Sequence, residues 1–104
     1  MTLQELLNLL DSTGYPVAYN HFNSTPSVPF IVYRLPSEDG FDADNVVYHN
    51  ISDVEIEVYT NRKDLNVEAT IKNLLNENEL PFVSFETWIE SEKLFQKIYE
   101  TRLI

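Results

Sequence analysis

Apolar residues recur at helical spacing at the start of the chain. Leu3, Leu6, Leu7 and Leu10 follow the period of a helix. Thr2 and Glu5 have the spacing of a capping box, and Gly14 followed by Pro16 ends the segment by Ser12. The pattern predicts a short helix whose apolar stripe faces a core.

A second helical pattern follows Asp64, which is a good N-cap residue. Apolar residues at positions 67, 71, 74 and 75 fall on one face of a helix. Pro81 cannot continue that helix, so we expect it to end near positions 76–78.

Alternating apolar and polar residues predict the longest strand, over positions 46–60. Its second half separates two kinds of side chain onto opposite faces: Val54, Ile56 and Val58 on one face, Asp53, Glu55, Glu57 and Tyr59 on the other. The first half is less regular, and we expect a bulge or tight turn near positions 50–53. This strand should have one buried face and one solvent-exposed face.

Shorter strands are predicted at positions 17–22, 30–35, 82–89 and 94–103. Pro36 is expected to end the second of these. Trp88 lies in the third, as a core residue by default or as an interface anchor. The element order α-β-β-β-α-β-β predicts an α+β fold, with a mainly antiparallel sheet of about five to six strands and two helices packed on it. Residues 1–104 suit a single domain.

The charge balance is acidic, with 17 Asp and Glu against 7 Lys and Arg and a net charge of −10. The cations are scattered, so specific binding to DNA or RNA is not expected. There is no cysteine, which excludes thiolate chemistry and zinc–sulfur sites. The chain shows neither a secretion signal nor a membrane span, and we expect a soluble intracellular protein.

The stretch SEDGFDADN, at positions 37–45, carries four carboxylates in nine residues. It does not fit a calcium-binding EF-hand loop. Counted from Asp42, Val46 stands at a ligand position and Val47 stands where the loop needs glycine. Asp42 and Asp44 form a D-x-D pair, which is a weak indication of a metal by itself. A solvated connection between two strands is the favoured interpretation.

No catalytic pattern stands out. The two histidines have no metal-ligand spacing, and two glycines are too few for a phosphate-binding loop. We therefore expect no catalytic residues, no cofactor, no metal and no enzymatic activity.

Four phrases of the sequence carry a resemblance to a known family. They are VPFIVYRL (28–35), SEDGFDADNVVYH (37–49), VEIEVYTNRKD (54–64) and, after the amphipathic helix, LFQKIYETRLI (94–104). Together they resemble the small tail-completion, or tail-terminator, proteins of long-tailed phages and prophages of Gram-positive bacteria. That family is similar in architecture to the tail terminator of lambda-like phages.

The resemblance implies a structural protein of the phage tail. Six copies would form a ring that caps the tail tube and docks to the neck or head-completion protein. DNA would pass through the ring without specific binding. The protein would reside in the host cytoplasm during assembly and then in the tail or neck of the virion.

Two acidic groups are the candidate functional residues. The first is an interface or lumen loop: Glu38, Asp39, Asp42, Asp44 and Asn45. The second is an acidic sheet face: Asp53, Glu55 and Glu57. Carboxylates around a bore repel phosphates and remove the counterion-release gain that would hold DNA in place.

Two other functions stay open on the sequence. One is an acidic inhibitor that mimics DNA and blocks a nucleic-acid-binding protein of the host. The other is a small metal-dependent enzyme that uses Asp39, Asp42 and Asp44. The inhibitor needs carboxylates spaced like phosphates, and the enzyme needs a ligand cage.

Overall fold

Strands from both halves of the chain pair into one sheet. The computed structural model describes the backbone of residues 1–43 and 46–103, and the side chains of residues 1–36 and 52–103. In chain order the described elements are α1 (Leu3–Asp11), β1 (Val17–Tyr19), β2 (Phe30–Ala43), β3 (Val46–Thr60), α2 (Leu65–Glu77), β4 (Val83–Ile89) and β5 (Leu94–Leu103).

The five described strands lie in the order β1-β2-β3-β5-β4. The strand β1 is parallel to β2, and the other three pairs are antiparallel. The predicted α+β fold and its element order are confirmed. The long alternating strand β3 lies at the centre, between β2 and β5.

Both helices begin at the residues that their sequences indicate. The Thr2 hydroxyl accepts a hydrogen bond from the Glu5 amide at 3.1 Å, and the Glu5 carboxylate accepts one from the Thr2 amide at 3.1 Å. At α2, the Asp64 carboxylate accepts a hydrogen bond from the Val67 amide at 3.2 Å. These contacts satisfy N–H groups that the first helical turn leaves without a partner.

The core lies between the helices and one face of the sheet. Leu6 and Leu10 of α1 and Ile71 and Leu75 of α2 are fully buried in one cluster with Ile56 of β3. The same cluster contains sheet residues whose side chains point to the helix side: Ile31, Tyr33, Val54, Val58, Tyr99 and Leu103. The apolar face predicted for β3 is therefore the face that the helices cover. Neither described helix is long and apolar enough to cross a membrane.

The strand β2 runs past Pro36, so the prediction that this proline ends the strand was wrong. The pairing with β3 shifts between Arg34 and Ser37, and two residues of β2, Leu35 and Pro36, lie within the irregular stretch. Proline cannot donate to a strand ladder, and a bulge is a position where that donor is not needed. Pairing then continues to Ala43, with one further shift between Phe41 and Asp42.

The boundaries of two other strands also differ from the prediction. The strand β1 ends at Tyr19 because Asn20 adopts a left-handed backbone conformation, with φ of 67°. In β3 the expected irregularity near positions 50–53 is absent from the described backbone, where residues 50–53 pair regularly. The shift lies at Tyr48 instead, between the pairs Phe41–His49 and Asp42–Val47.

Replacing Tyr99 with phenylalanine is expected to raise the free energy of unfolding by roughly 1 kcal/mol. The Tyr99 side chain is fully buried, and its hydroxyl has no hydrogen-bond partner within the described part of the chain. A buried hydroxyl without a partner is costly, and phenylalanine removes it while keeping the ring that packs on Phe82. Urea unfolding measures the change.

Tyr59→Phe is the matched control, because the Tyr59 hydroxyl is bonded to Glu57 and Gln96. We expect that variant to lose roughly 1 kcal/mol. A comparable loss in Tyr99→Phe would contradict the interpretation of the Tyr99 hydroxyl.

Candidate functional site

A two-stranded ribbon extends β2 and β3 beyond the rest of the sheet. The pairing of β5 with β3 ends at Leu103 and Ser52, and β1 pairs only with residues 31–33 of β2. Residues 39–43 of β2 and 46–51 of β3 pair with each other, and no third described strand joins them. We call these two segments the ribbon.

The ribbon contains two of the five residues of the first candidate group, Asp39 and Asp42, and Glu38 directly precedes it. Glu38 pairs with Ser52, Asp39 with Ile51, and Asp42 with Val47. The prediction of a loop was therefore wrong for positions 38–43, because β3 continues long enough to give them a partner strand. Strand formation depends on such pairing more than on the propensity of the residue itself. Asp44 and Asn45 lie outside the described residues, as do the side chains of Glu38, Asp39 and Asp42.

The second candidate group lies on the sheet face opposite the helices. Asp53, Glu55 and Glu57 alternate with the buried residues of β3. Each has a cation from a neighbouring strand close by: Arg102 Nε lies 2.7 Å from Asp53, Arg34 Nη2 lies 3.0 Å from Glu55, and Arg34 Nε lies 3.8 Å from Glu57. Two guanidiniums are thus shared among three carboxylates in cross-strand ion pairs, so the negative charge of these residues is compensated in part.

Glu57 is the centre of a hydrogen-bonded group on this face. Its Oε1 accepts from the Tyr59 hydroxyl at 2.9 Å and from Gln96 Nε2 at 2.6 Å. Gln96 Nε2 also donates to the Tyr59 oxygen at 2.8 Å, and Phe30 stacks on the Tyr59 ring with centroids 4.9 Å apart. These contacts join β2, β3 and β5, and they fix the carboxylate of Glu57 in place.

Burial and the neighbouring Glu57 carboxylate raise the pKa of Tyr59 to about 12, from an ordinary value of 10.0. Between pH 10 and 12 the unfolded chain loses this proton while the folded chain keeps it. The free energy of unfolding should therefore fall as the pH rises through that window. Tyr59→Phe should make the fall shallower, because the substituted residue has no proton to lose.

Urea unfolding between pH 8 and pH 12, in wild type and Tyr59→Phe, measures the two slopes. Absorbance at 295 nm would follow phenolate formation in the folded proteins. Equal slopes in the two proteins above pH 10 would contradict the assignment.

A second group of charges lies on the helix side. Lys63 Nζ lies 2.8 Å from Glu68 of α2 and 2.7 Å from Glu86 of β4, and Lys97 of β5 lies 3.6 Å from Glu68. The hydrogen bond from Lys63 holds the pKa of Glu86 below its ordinary value. These pairs connect α2 to β4 and β5.

The sequence did not indicate Arg34, Gln96 or Lys97 as partners of the acidic residues. Their contacts span 21 residues for Arg34 and Glu55, and 39 for Gln96 and Glu57. The spacing of residues along the chain does not indicate such pairs, because they depend on the strand order. Knowing that β5 lies beside β3 would have been enough to find one of them, Gln96.

Trp88 lies in β4 rather than in the core, so the default expectation for this residue was wrong. Its side chain is 41% exposed and packs edge-on against Phe95, with ring centroids 4.8 Å apart. The core ends at β5 because no described helix covers β4, whose residues are exposed from Val83 to Trp88.

Metal binding finds no support within the described side chains, where no group of three or more potential ligands comes together. The Asp39, Asp42 and Asp44 hypothesis lies outside them. The chain matches no protein-family model, and a comparison with curated proteins gives no match. The functional argument therefore depends on the fold and its contacts.

Proposed function

We propose that this chain is a structural protein of a phage or prophage tail. In this proposal it is a tail terminator without enzymatic activity. Six copies form a ring that ends the tail tube, and its partners are the tail tube protein and the neck or head-completion protein. It would be found in the host cytoplasm during assembly and in the virion tail or neck afterwards.

The ribbon is the observation that carries this proposal. A two-stranded ribbon is marginally stable by itself in water and gains stability when a third strand or another surface packs on it. Within the described chain no third strand pairs with it beyond Ser52. A neighbouring copy would supply that surface. Contacts of this head-to-tail kind, in which two different patches meet, close into rings when the rotation allows it.

The charge supports a ring through which DNA passes. Six copies at −10 each carry about −60, and a narrow bore focuses the field of the carboxylates that line it. Phosphates are repelled from such a bore, so DNA gains no counterion-release energy from binding there. Of the acidic residues, those of the ribbon are our candidates for the bore or the neighbour contact, because the described carboxylates of the sheet face have cations beside them.

Counting copies in purified particles tests the proposal. The source strain is induced, particles are purified on a density gradient, and this chain is quantified against the major tail protein by mass spectrometry. We expect about six copies per particle, with many more copies of the tube protein. Absence from complete particles, together with abundance in the lysate, would overturn the proposal in favour of the DNA-mimicking inhibitor.

A further inference from the structure

The outer edge of the sheet at β4 is unprotected. Within the described residues no strand pairs with the outer side of this seven-residue strand. Val83 and Phe85 are more than half exposed on one face, and Trp88 is exposed on the other. Edge strands in soluble proteins are usually shortened, bulged, covered, or protected by lysine or proline. The segment from Val83 to Ile89 is neither short nor bulged in its pairing with β5, and its single charged residue, Glu86, is paired with Lys63.

The opposite edge of the same sheet provides an internal comparison. There β1 is three residues long, and the left-handed conformation of Asn20 ends it. A short strand offers few backbone groups to another chain. The edge at β1 is therefore short and exposes one large apolar side chain, Tyr19, whereas the seven-residue edge at β4 exposes three, Val83, Phe85 and Trp88. We call β1 the closed edge and β4 the open edge.

A groove of about 920 Å³ lies where β4 begins. Its apolar wall includes Leu80, Pro81, Phe82 and Val83, so the wall continues directly into the open edge. Leu80 is buried, and the Thr101 hydroxyl donates to the Pro81 carbonyl at 2.7 Å, which fixes this wall against β5. The groove thus has an apolar wall that ends at Val83, the first residue of the open strand, and it extends over β5 and β3.

Carboxylates dominate the polar side chains of the groove. Asp53, Glu55, Glu79 and Glu100 line it, against one guanidinium, that of Arg102. Arg102 is paired with Asp53, and Glu55 is paired with Arg34 outside the groove. Glu79 and Glu100 are exposed and have no ion pair within the described part of the chain. We call Glu79 and Glu100 the rim of the groove. An occupant with apolar and cationic side chains would complement both the apolar wall and this acidic rim.

We propose that an extended, cationic segment of another protein adds as a strand to the outer edge of β4 and places an apolar side chain in this groove. In strand addition the backbone hydrogen bonds give affinity, and a pocket for alternate side chains gives specificity. The lysines or arginines of the segment would lie against Glu79 and Glu100. A second copy of this chain is the poorer occupant, since only Arg62 and Lys72 lack an ion pair among its described cations.

The proposal does not depend on the ring, because β4 and the ribbon are different parts of the fold. It would hold for a tail protein or for an inhibitor. Failure of the copy count in particles therefore says nothing about it, and its own failure leaves the ring intact.

The probe is a library of random nine-residue peptides displayed on yeast, selected against the purified full chain. We expect enriched peptides in which Lys or Arg alternates with apolar residues. The most enriched peptide is then synthesised with a fluorophore, and its Kd is measured by fluorescence anisotropy. Reversal of both rim charges, Glu79→Lys with Glu100→Lys, should weaken binding about tenfold or more.

The matched control is Asp11→Lys with Glu92→Lys, which changes the net charge equally at exposed positions that do not line the groove. Its affinity for the peptide should stay within about twofold of wild type. Thermal melts of both variants show whether they are folded.

Backbone methylation of the peptide distinguishes strand addition from a general attraction between charges. Alternate amides of a strand point to opposite edges. A peptide methylated at odd positions therefore loses its N–H donors along one edge, and a peptide methylated at even positions loses them along the other. One of them keeps its amides toward β4 and should bind, and the other should lose binding.

Three results would overturn the proposal: no enrichment of cationic peptides, equal binding by the rim variant and the control, or equal binding by the two methylated peptides. Sedimentation equilibrium tests the remaining possible occupant, a second copy of this chain. Self-association of the wild-type chain that Phe85→Lys abolishes would assign this edge to a second copy and likewise overturn the proposal.

Discussion

Replacing Asp42 and Asp44 with lysine is expected to leave the chain folded and to cut the yield of infectious particles by about tenfold or more. Asp42 lies in β2 within the ribbon, and its pairing partner there is Val47. The double substitution changes each copy by four charges at the part of the fold that we assign to the bore or the neighbour contact. Inverted charge there would attract DNA during passage or repel the neighbouring copy.

The titre of particles from a strain that carries the double substitution is the measurement. Asp11→Lys with Glu92→Lys gives the same change in charge at exposed residues outside the ribbon, and it should leave the titre near that of wild type. Melting curves of the purified chains confirm that both are folded. An unchanged titre for the ribbon variant would count strongly against a functional role for its carboxylates.

Leu75→Ala is expected to lower the free energy of unfolding by about 2–5 kcal/mol. Leu75 is fully buried on α2, in the cluster that joins both helices to the sheet. The substitution removes apolar area from the core and leaves a cavity that the packed neighbours fill only in part. For a domain of this size each 1 kcal/mol lowers the melting temperature by roughly 4–8 °C, so the effect is large in a thermal melt.

Leu65→Ala on the same helix is the control, because Leu65 is 69% exposed. It deletes the same atoms from a side chain that is mostly in solvent. We expect the free energy of unfolding to change by no more than about 0.5 kcal/mol. Similar losses in the two variants would mean that α2 is stabilised by its own turns rather than by packing on the sheet.

Local patterns were sufficient for the helices and for the faces of the central strand. The capping box of Thr2 and Glu5 and the cap at Asp64 are contacts between residues three apart, so the sequence displays them directly. The alternation around Ile56 indicates its buried face in the same way, because side chains of a strand alternate between two sides. These features follow from backbone geometry over a few residues.

The extent of β2 could not be predicted, because it depends on what lies beside it. A stretch rich in Asp with Gly40 and a preceding Pro36 is typical of a loop. Pairing with the first half of β3 converts six of these residues into a strand, from Glu38 to Ala43. Pro36 has no backbone N–H to donate, and it lies in the irregular stretch, where that donor is not needed.

The candidate site, like the fold, could be predicted from the sequence only in part. The acidic residues were visible in the sequence, and so was the common face of Asp53, Glu55 and Glu57. Their compensation by Arg34 and Arg102 was not, since Arg102 lies 49 residues from Asp53 along the chain. The open edge at β4 also depends on strand order, because any strand of similar composition would be buried if it were central.

The sequence by itself determined the two helices, the apolar and acidic faces of β3, the absence of cysteine chemistry and a net charge of −10. Each of these follows from composition or from interactions between residues a few positions apart. Only the tertiary structure decided that acidic positions 39–43 extend as a ribbon, that the acids of the sheet face are paired, and that β4 ends the sheet with Trp88 exposed. These depend on which strands become neighbours, a choice made by packing the whole core.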